Sequence, residues 1–280
     1  MNSKQVMNHA ADNIRILAAS MVEKAKSGHP GGAMGGADFI NVLYSEFLQY
    51  DPANPKWEGR DRFFLDPGHM APMLYSQLAL IGKFTLDELK QLRQWGSPTP
   101  GHPEVDVMRG IENTSGPLGQ GHVFAVGAAI AAKFLAARTG NPTFNKETIY
   151  AYISDGGIQE EISQGAGRLA GHLGLDNLIM FYDSNDIQLS TATDAVTSED
   201  VAKKYEAWHW KVITIDGNDP DAIRTALTEA KAVTGQPTLI IGKTIMGKAH
   251  AKRMIPVMNV TVPPTVLLWE VMLTSIQSRT

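Results

Sequence analysis

Apolar residues recur at helical spacing in the first half of the chain and gather into short continuous runs in the second. Val6, Ile14, Leu17 and Met21 share one helical face, predicting a helix over 3–26. The glycine-rich SGHPGGAMGG breaks it. A second helix is expected over about 37–48, before the turn-rich DPANPKWEGRD. A short apolar stretch, RFFLDPGH, precedes a helix near 73–81. Thr85 followed by Glu88 forms a capping-box pattern for a helix ending near Trp95. GSPTPGHPEVDVMRG is loop, and GPLGQGHVFAVGAAIAAKFLAAR is a glycine-rich loop feeding an Ala-rich helix.

The second half alternates. TIYAYIS (148–154), LIMFYDS (178–184), KVITID (211–216) and TLIIGKT (238–244) are short runs rich in Ile, Val, Tyr and Phe. Helical patterns fall between them at about 158–173, 199–208 and 219–233. Strands alternating with helices predict an α/β fold: a parallel central sheet with helices on both faces. Near-continuous apolarity within each run predicts strands buried on both sides. Residues 1–252 read as one domain and 253–280 as an irregular tail. That tail has no clear period, is broken by Pro256, Pro263 and Pro264, and yet is rich in Val and Leu.

Composition narrows the class. The chain of 280 residues is 43% hydrophobic and 19% charged, with a net charge of −4. Such a chain builds a core, and it has no global basic footprint for nucleic acid. No run approaches eighteen apolar residues, so no membrane span is expected. With no cysteine, disulfides and thiol chemistry are excluded. The amphipathic N-terminus is unlike a signal peptide, and a cytoplasmic location is expected.

Ligands of an open parallel sheet bind beyond the carboxyl ends of its strands. One predicted strand ends in Ser154-Asp155-Gly156-Gly157 and the next in Asp183-Ser184-Asn185-Asp186-Ile187. Asp155 and Asn185 lie one βαβ unit apart, so both should project from the same edge. A carboxylate plus an amide oxygen is a thin shell, suited to Mg²⁺ or Ca²⁺ when phosphate oxygens complete it. Gly156 and Gly157 would let a diphosphate approach a helix start. Alternatively, Asp155-Gly156 is simply a strand-to-helix turn. Five of the eight histidines follow glycine: His29, His69, His102, His122 and His172. The first three stand in Pro-flanked loops, where function concentrates. His122 and His172 fall in predicted helices and read as packing, and His9, His209 and His250 as structural or exposed.

These segments together resemble the transketolases, over roughly residues 8 to 250. The motifs are SGHPG (27–31), DRF-to-GH (61–69), TPGHPE (99–104), GPLGQG (116–121), SDGGIQEE (154–161) and SNDI (184–187). The resemblance is to that family's N-terminal domain, with the thiamine-diphosphate-binding fold. It implies Mg²⁺ held by Asp155, Asn185 and the carbonyl of Ile187. Gly156 and His69 would contact the diphosphate, and Gly116, Pro117 and Leu118 would border the aminopyrimidine. His29 and His102 would be catalytic, facing the sugar and helping proton transfer. Glu160 would join a dimer contact. The implied reaction is two-carbon ketol transfer between sugar phosphates, a step of the pentose phosphate pathway.

The resemblance also implies what is missing. Ser154 stands where the family has glycine, and His122 where it has a small aliphatic residue. The glutamate that protonates the cofactor's pyrimidine belongs to a second domain. The chain is therefore expected to be inactive without a pyrimidine-domain partner, as a homodimer or heteromer. The family's Thr-His-Gly does not follow His250. Back-translated from Lys252 and re-read after skipping two bases, the tail permits KDDSSYERNCATHGPP, so a frameshift near Lys252 is expected. Two other readings are another thiamine-diphosphate synthase and a non-catalytic dimerising remnant. TPGHPE with SGHPG favours ketol transfer over the former.

Overall fold

The computed structural model describes residues 2–145, 147–189 and 191–248. The first helix, α1 (Lys4–Ala25), begins where the Ser3 hydroxyl accepts a bond from the Val6 amide at 3.3 Å. It buries Met7, Ala11, Ile14, Leu17, Ala18 and Met21, a stripe at three- and four-residue spacing. The glycine-rich segment, read from sequence as a break, contains α2 (Pro30–Gly35), with proline at its first position. Then come α3 (Ala37–Val42), a π turn over Leu43–Phe47, β1 (Arg62–Leu65), α4 (Ala71–Leu80) and α5 (Leu86–Leu89). The Thr85–Glu88 capping box forms as predicted, but its helix is a single turn and does not reach Trp95.

The chain continues through α6 (Gln120–Thr139), α7 (Pro142–Asn145), β2 (Ile149–Ser154), α8 (Asp155–Gln159) and α9 (Glu161–His172). Next are β3 (Leu178–Ser184), a small ribbon of β4 (Ile187–Gln188) and β5 (Thr191–Ala192), then α10 (Val201–Ala207), β6 (Lys211–Asp216), α11 (Pro220–Ala232) and β7 (Thr238–Lys243). All four predicted strands lie in one sheet of order β1-β2-β3-β7-β6, and every pairing in it is parallel. The fifth member, β1, was missed as a strand because four residues of RFFL show no period of their own. It sits at an edge, held by β2. β6 forms the other edge and is only half covered, unlike β2 and β3, which are buried throughout.

Side chains alternate between two cores. Phe63, Leu65, Tyr150, Tyr152, Ile179, Phe181 and Ile240 pack under α1, α3, α4 and α11. Phe64, Ala151, Ile153, Met180, Tyr182, Leu239 and Ile241 pack on the other face under α6, α9 and α10. Period-two alternation thus serves two hydrophobic layers, as a doubly covered parallel sheet requires. α6 reaches a mean hydropathy of 1.3, long and apolar enough by composition to cross a membrane. The helix lies against β1, β2 and α9, and His122, Lys133 and Arg138 interrupt its apolar run. The tail 253–280, with its frameshift expectation, lies outside the described residues.

Candidate functional site

The register Ser154↔Asp183 brings the ends of β2 and β3 level, so Asp155 and Asn185 emerge side by side. Asp155 opens α8 and is almost wholly buried. One carboxylate oxygen accepts from the Tyr182 hydroxyl at 2.5 Å, the other from the Asn185 amide at 3.0 Å. The Asn185 side-chain oxygen accepts from the Ile187 amide at 3.1 Å. Asp186, between them, takes a left-handed φ of 62° that turns the chain back over the edge. Burial raises the Asp155 pKa, against the opposing bonds from Tyr182 and Asn185.

Asp155, Asn185 and the Ile187 carbonyl offer only hard oxygen donors, which suits Mg²⁺ or Ca²⁺. Among the described residues no group of three or more His, Cys, Asp or Glu could hold a metal. A cation here would therefore draw further oxygens from a ligand, as phosphate groups provide. A cleft of about 430 Å³ opens beside Asp155, Gln159, Tyr182, Ser184 and Lys243, but it runs toward residues 193–202 and is not lined by Gly156, Asn185 or the three loop histidines. The Lys243 ammonium donates to the Ser184 hydroxyl at 2.7 Å and to Asp186 at 3.2 Å. Lys243 was not singled out from sequence. The signal was present: it ends β7, the strand beside β3.

The segment 115–119 spans the distance from this edge to the histidines. A Cβ added at Gly156 would meet Leu118 Cδ1 at 3.0 Å, so Leu118 lies directly over the Gly156–Gly157 turn. At its other end, a Cβ on Gly68 would meet the Gly116 amide nitrogen, the Ser115 hydroxyl and His102 Cδ2, each at 2.9 Å. Gly68 is required there by close approach. Pro117 is exposed beside them. Gly119, at φ 87°, starts α6, and a Cβ there would lie 2.9 Å from Glu160 Cβ. Glu160 is exposed at the start of α9.

His29, His69 and His102 come together from three separate loops. The His29 and His69 rings meet edge-to-face with centroids 5.1 Å apart. Burial lowers the His69 pKa to about 4, helped by His29, His102 and Arg93. Burial, then Arg93 and His102, lowers that of His29; burial and Arg93 lower that of His102. All three imidazoles are thus neutral at pH 7, able to donate at one nitrogen and accept at the other. Arg93 is a second residue that sequence reasoning passed over. At φ 61° it accepts no ordinary helical role: its amide donates to Thr99 O at 3.0 Å and its guanidinium to the Ser27 hydroxyl at 2.7 Å. It therefore ties the SGHPG loop to the TPGHPE loop. His122 is fully buried, with Nδ1 2.7 Å from the Ser163 hydroxyl, and His172 is exposed on α9.

Comparison with known proteins agrees in family and extent. The family described as "Transketolase, thiamine diphosphate binding domain" matches residues 6–255. The chain is 47% identical over 241 residues to transketolase 2 of Escherichia coli (strain K12), covering 85% of this chain and 36% of that protein. It is 47% identical over 243 residues to the transketolase of Geobacillus stearothermophilus, with the same coverage. The solved transketolase from Leishmania mexicana superposes with a TM-score of 0.84 at 43% identity, over 89% of this chain and 37% of that one. The chain thus spans little more than a third of the length of these relatives.

Proposed function

The chain belongs to the transketolase thiamine-diphosphate-binding family, and from that premise we propose that it holds Mg²⁺–thiamine diphosphate for two-carbon ketol transfer between sugar phosphates. The observation that carries the reading is the continuity of one edge: the Asp155–Asn185–Ile187 arc, the 115–119 segment over Gly156, and three neutral imidazoles at the far end of that segment. Asp155, Asn185 and the Ile187 carbonyl would hold Mg²⁺, and Gly156 and His69 the diphosphate. Gly116, Pro117 and Leu118 would border the aminopyrimidine.

When bound, thiamine diphosphate supplies the electron sink for breaking a carbon–carbon bond beside a ketone. The chain's own residues bind and orient. A depressed His69 pKa keeps that imidazole uncharged, so its contact to a diphosphate is a directional hydrogen bond rather than a free charge. His29 and His102 stand in the open part of the cluster, where a sugar hydroxyl could give or take a proton at imidazole nitrogen.

The cluster's openness also supports a shared site, closed by a pyrimidine-binding partner domain. A second copy of this chain is the proposed neighbour at α6 and α9. Phe124, Phe134, Leu135, Ile162 and Leu169 are exposed there, with Glu160 at the margin. The cytoplasm is the proposed location, in keeping with a chain free of cysteine. The test is complementation. Mixed with a chain carrying the pyrimidine-binding domain, this protein should support ketol transfer from xylulose 5-phosphate to ribose 5-phosphate, and His29→Ala should abolish it. No transfer at any ratio of the two chains would overturn the reading.

A further inference from the structure

Asp66 follows β1 directly and has no exposed surface. Its main chain is fixed twice: its amide donates to Tyr152 O at 3.0 Å, and its carbonyl accepts from the Ser115 hydroxyl at 2.7 Å. Its carboxylate faces the start of α6, a helix whose N-cap, Gly119, has no side chain to offer. One carboxylate oxygen accepts from the Gly121 amide at 2.8 Å and the His122 amide at 3.4 Å. A carboxylate borrowed from another element therefore satisfies the free amides and the positive end of the helix.

Two glycines make room for it. A Cβ at Gly121 would lie 2.4 Å from Asp66 Cα, and one at Gly157 would lie 2.3 Å from Asp66 Oδ2. That second oxygen is buried without a hydrogen-bond partner. Such a group is costly to bury, and stability alone does not call for it. It lies between the two segments, 116–119 and 155–157, that border the proposed diphosphate site.

We propose that Asp66 is a positioning residue, whose buried carboxylate caps α6 from outside and thereby fixes the 116–119 segment against the Gly156–Gly157 turn. The consequence for the cofactor rests on the reading of that segment given above; the capping itself does not. The test compares the full chain with Asp66→Ala and Asp66→Asn. Hydrogen exchange in peptides spanning 116–124 and affinity for Mg²⁺–thiamine diphosphate are measured together. Asp66→Ala should speed exchange there by about tenfold and weaken binding by about tenfold, the scale of one charge-assisted hydrogen bond. Asp66→Asn keeps the acceptor and should restore both to within about threefold of the parent. Parent-like exchange in Asp66→Ala would overturn the proposal, as would exchange raised equally across β2 and β3, the mark of a merely structural role. Unchanged affinity despite faster local exchange would overturn the link to the cofactor. If exchange responds as stated but the parent itself does not bind, the cofactor reading fails and the capping stands.

Discussion

The two faces of the sheet are covered differently. On one, α1, α3, α4 and α11 turn apolar stripes inward and close over polar groups linked in a network. There Asp38, buried, accepts from Arg15, from Asn218 at 2.9 Å and from Lys248 at 2.9 Å. On the other face, α6 packs on β1, β2 and α9, yet both helices keep large apolar residues on their far side, with Phe134 64% exposed. A helix apolar all round serves two apolar surroundings. One is the sheet; the other is the proposed second copy. The sealed face holds the domain together, and the open face and carboxyl edge are where the proposed partners would sit.

The largest effect should come from breaking the sealed face. Among the described residues, Asp38→Ala leaves the buried Arg15 with only the exposed Asp12 as an ionic partner. It should cost about 3–5 kcal/mol in a urea titration. Next is Asp183, which continues the Ile179–Phe181 row, accepts from the Thr244 hydroxyl and has its pKa raised by burial to about 6. Its unfolded value is near 3.9, so the native state binds the extra proton between about pH 4 and pH 6. Stability should therefore fall as pH rises through that window and level off above it. Asp183→Asn should reduce this slope, to which buried Asp66, also raised to about 6, adds its own share, and remove up to about 3 kcal/mol of penalty at pH 8, read by thermal melts at both pH values. A slope of opposite sign would contradict the assignment.

On the open face the outcome should reverse. Phe134→Glu and Leu169→Glu should change fold stability by no more than about 0.5 kcal/mol while weakening self-association by about 2 kcal/mol or more, measured by sedimentation. Equal destabilisation on both faces would erase the contrast. The smallest effect belongs to a single imidazole: His69→Ala should leave the melt unchanged and weaken Mg²⁺–thiamine diphosphate binding by about tenfold, ~1.4 kcal/mol.

Long apolar runs made β2, β3, β6 and β7 legible, because burial on two faces writes itself into consecutive residues. β1 was not, since its strand character comes from pairing with β2. α5 stopped short of Trp95 because a capping box starts a helix without sustaining it. At the site, Asp155, Asn185 and the three loop histidines were readable from strand ends and Gly-His spacing. Asp66 and Arg93 were not. Their partners are backbone amides, a backbone carbonyl and a hydroxyl from other loops, and no residue type in the sequence marks such contacts.

The central claim is that the Asp155 edge holds a metal–diphosphate pair. Calorimetric titration of thiamine diphosphate into the full chain, with Mg²⁺ or with EDTA, tests it directly, with Asp155→Asn as the comparison. Binding should require Mg²⁺ and should weaken by about a hundredfold, ~2.7 kcal/mol, in the variant. Binding that survives EDTA, or that is the same in Asp155→Asn, would contradict it.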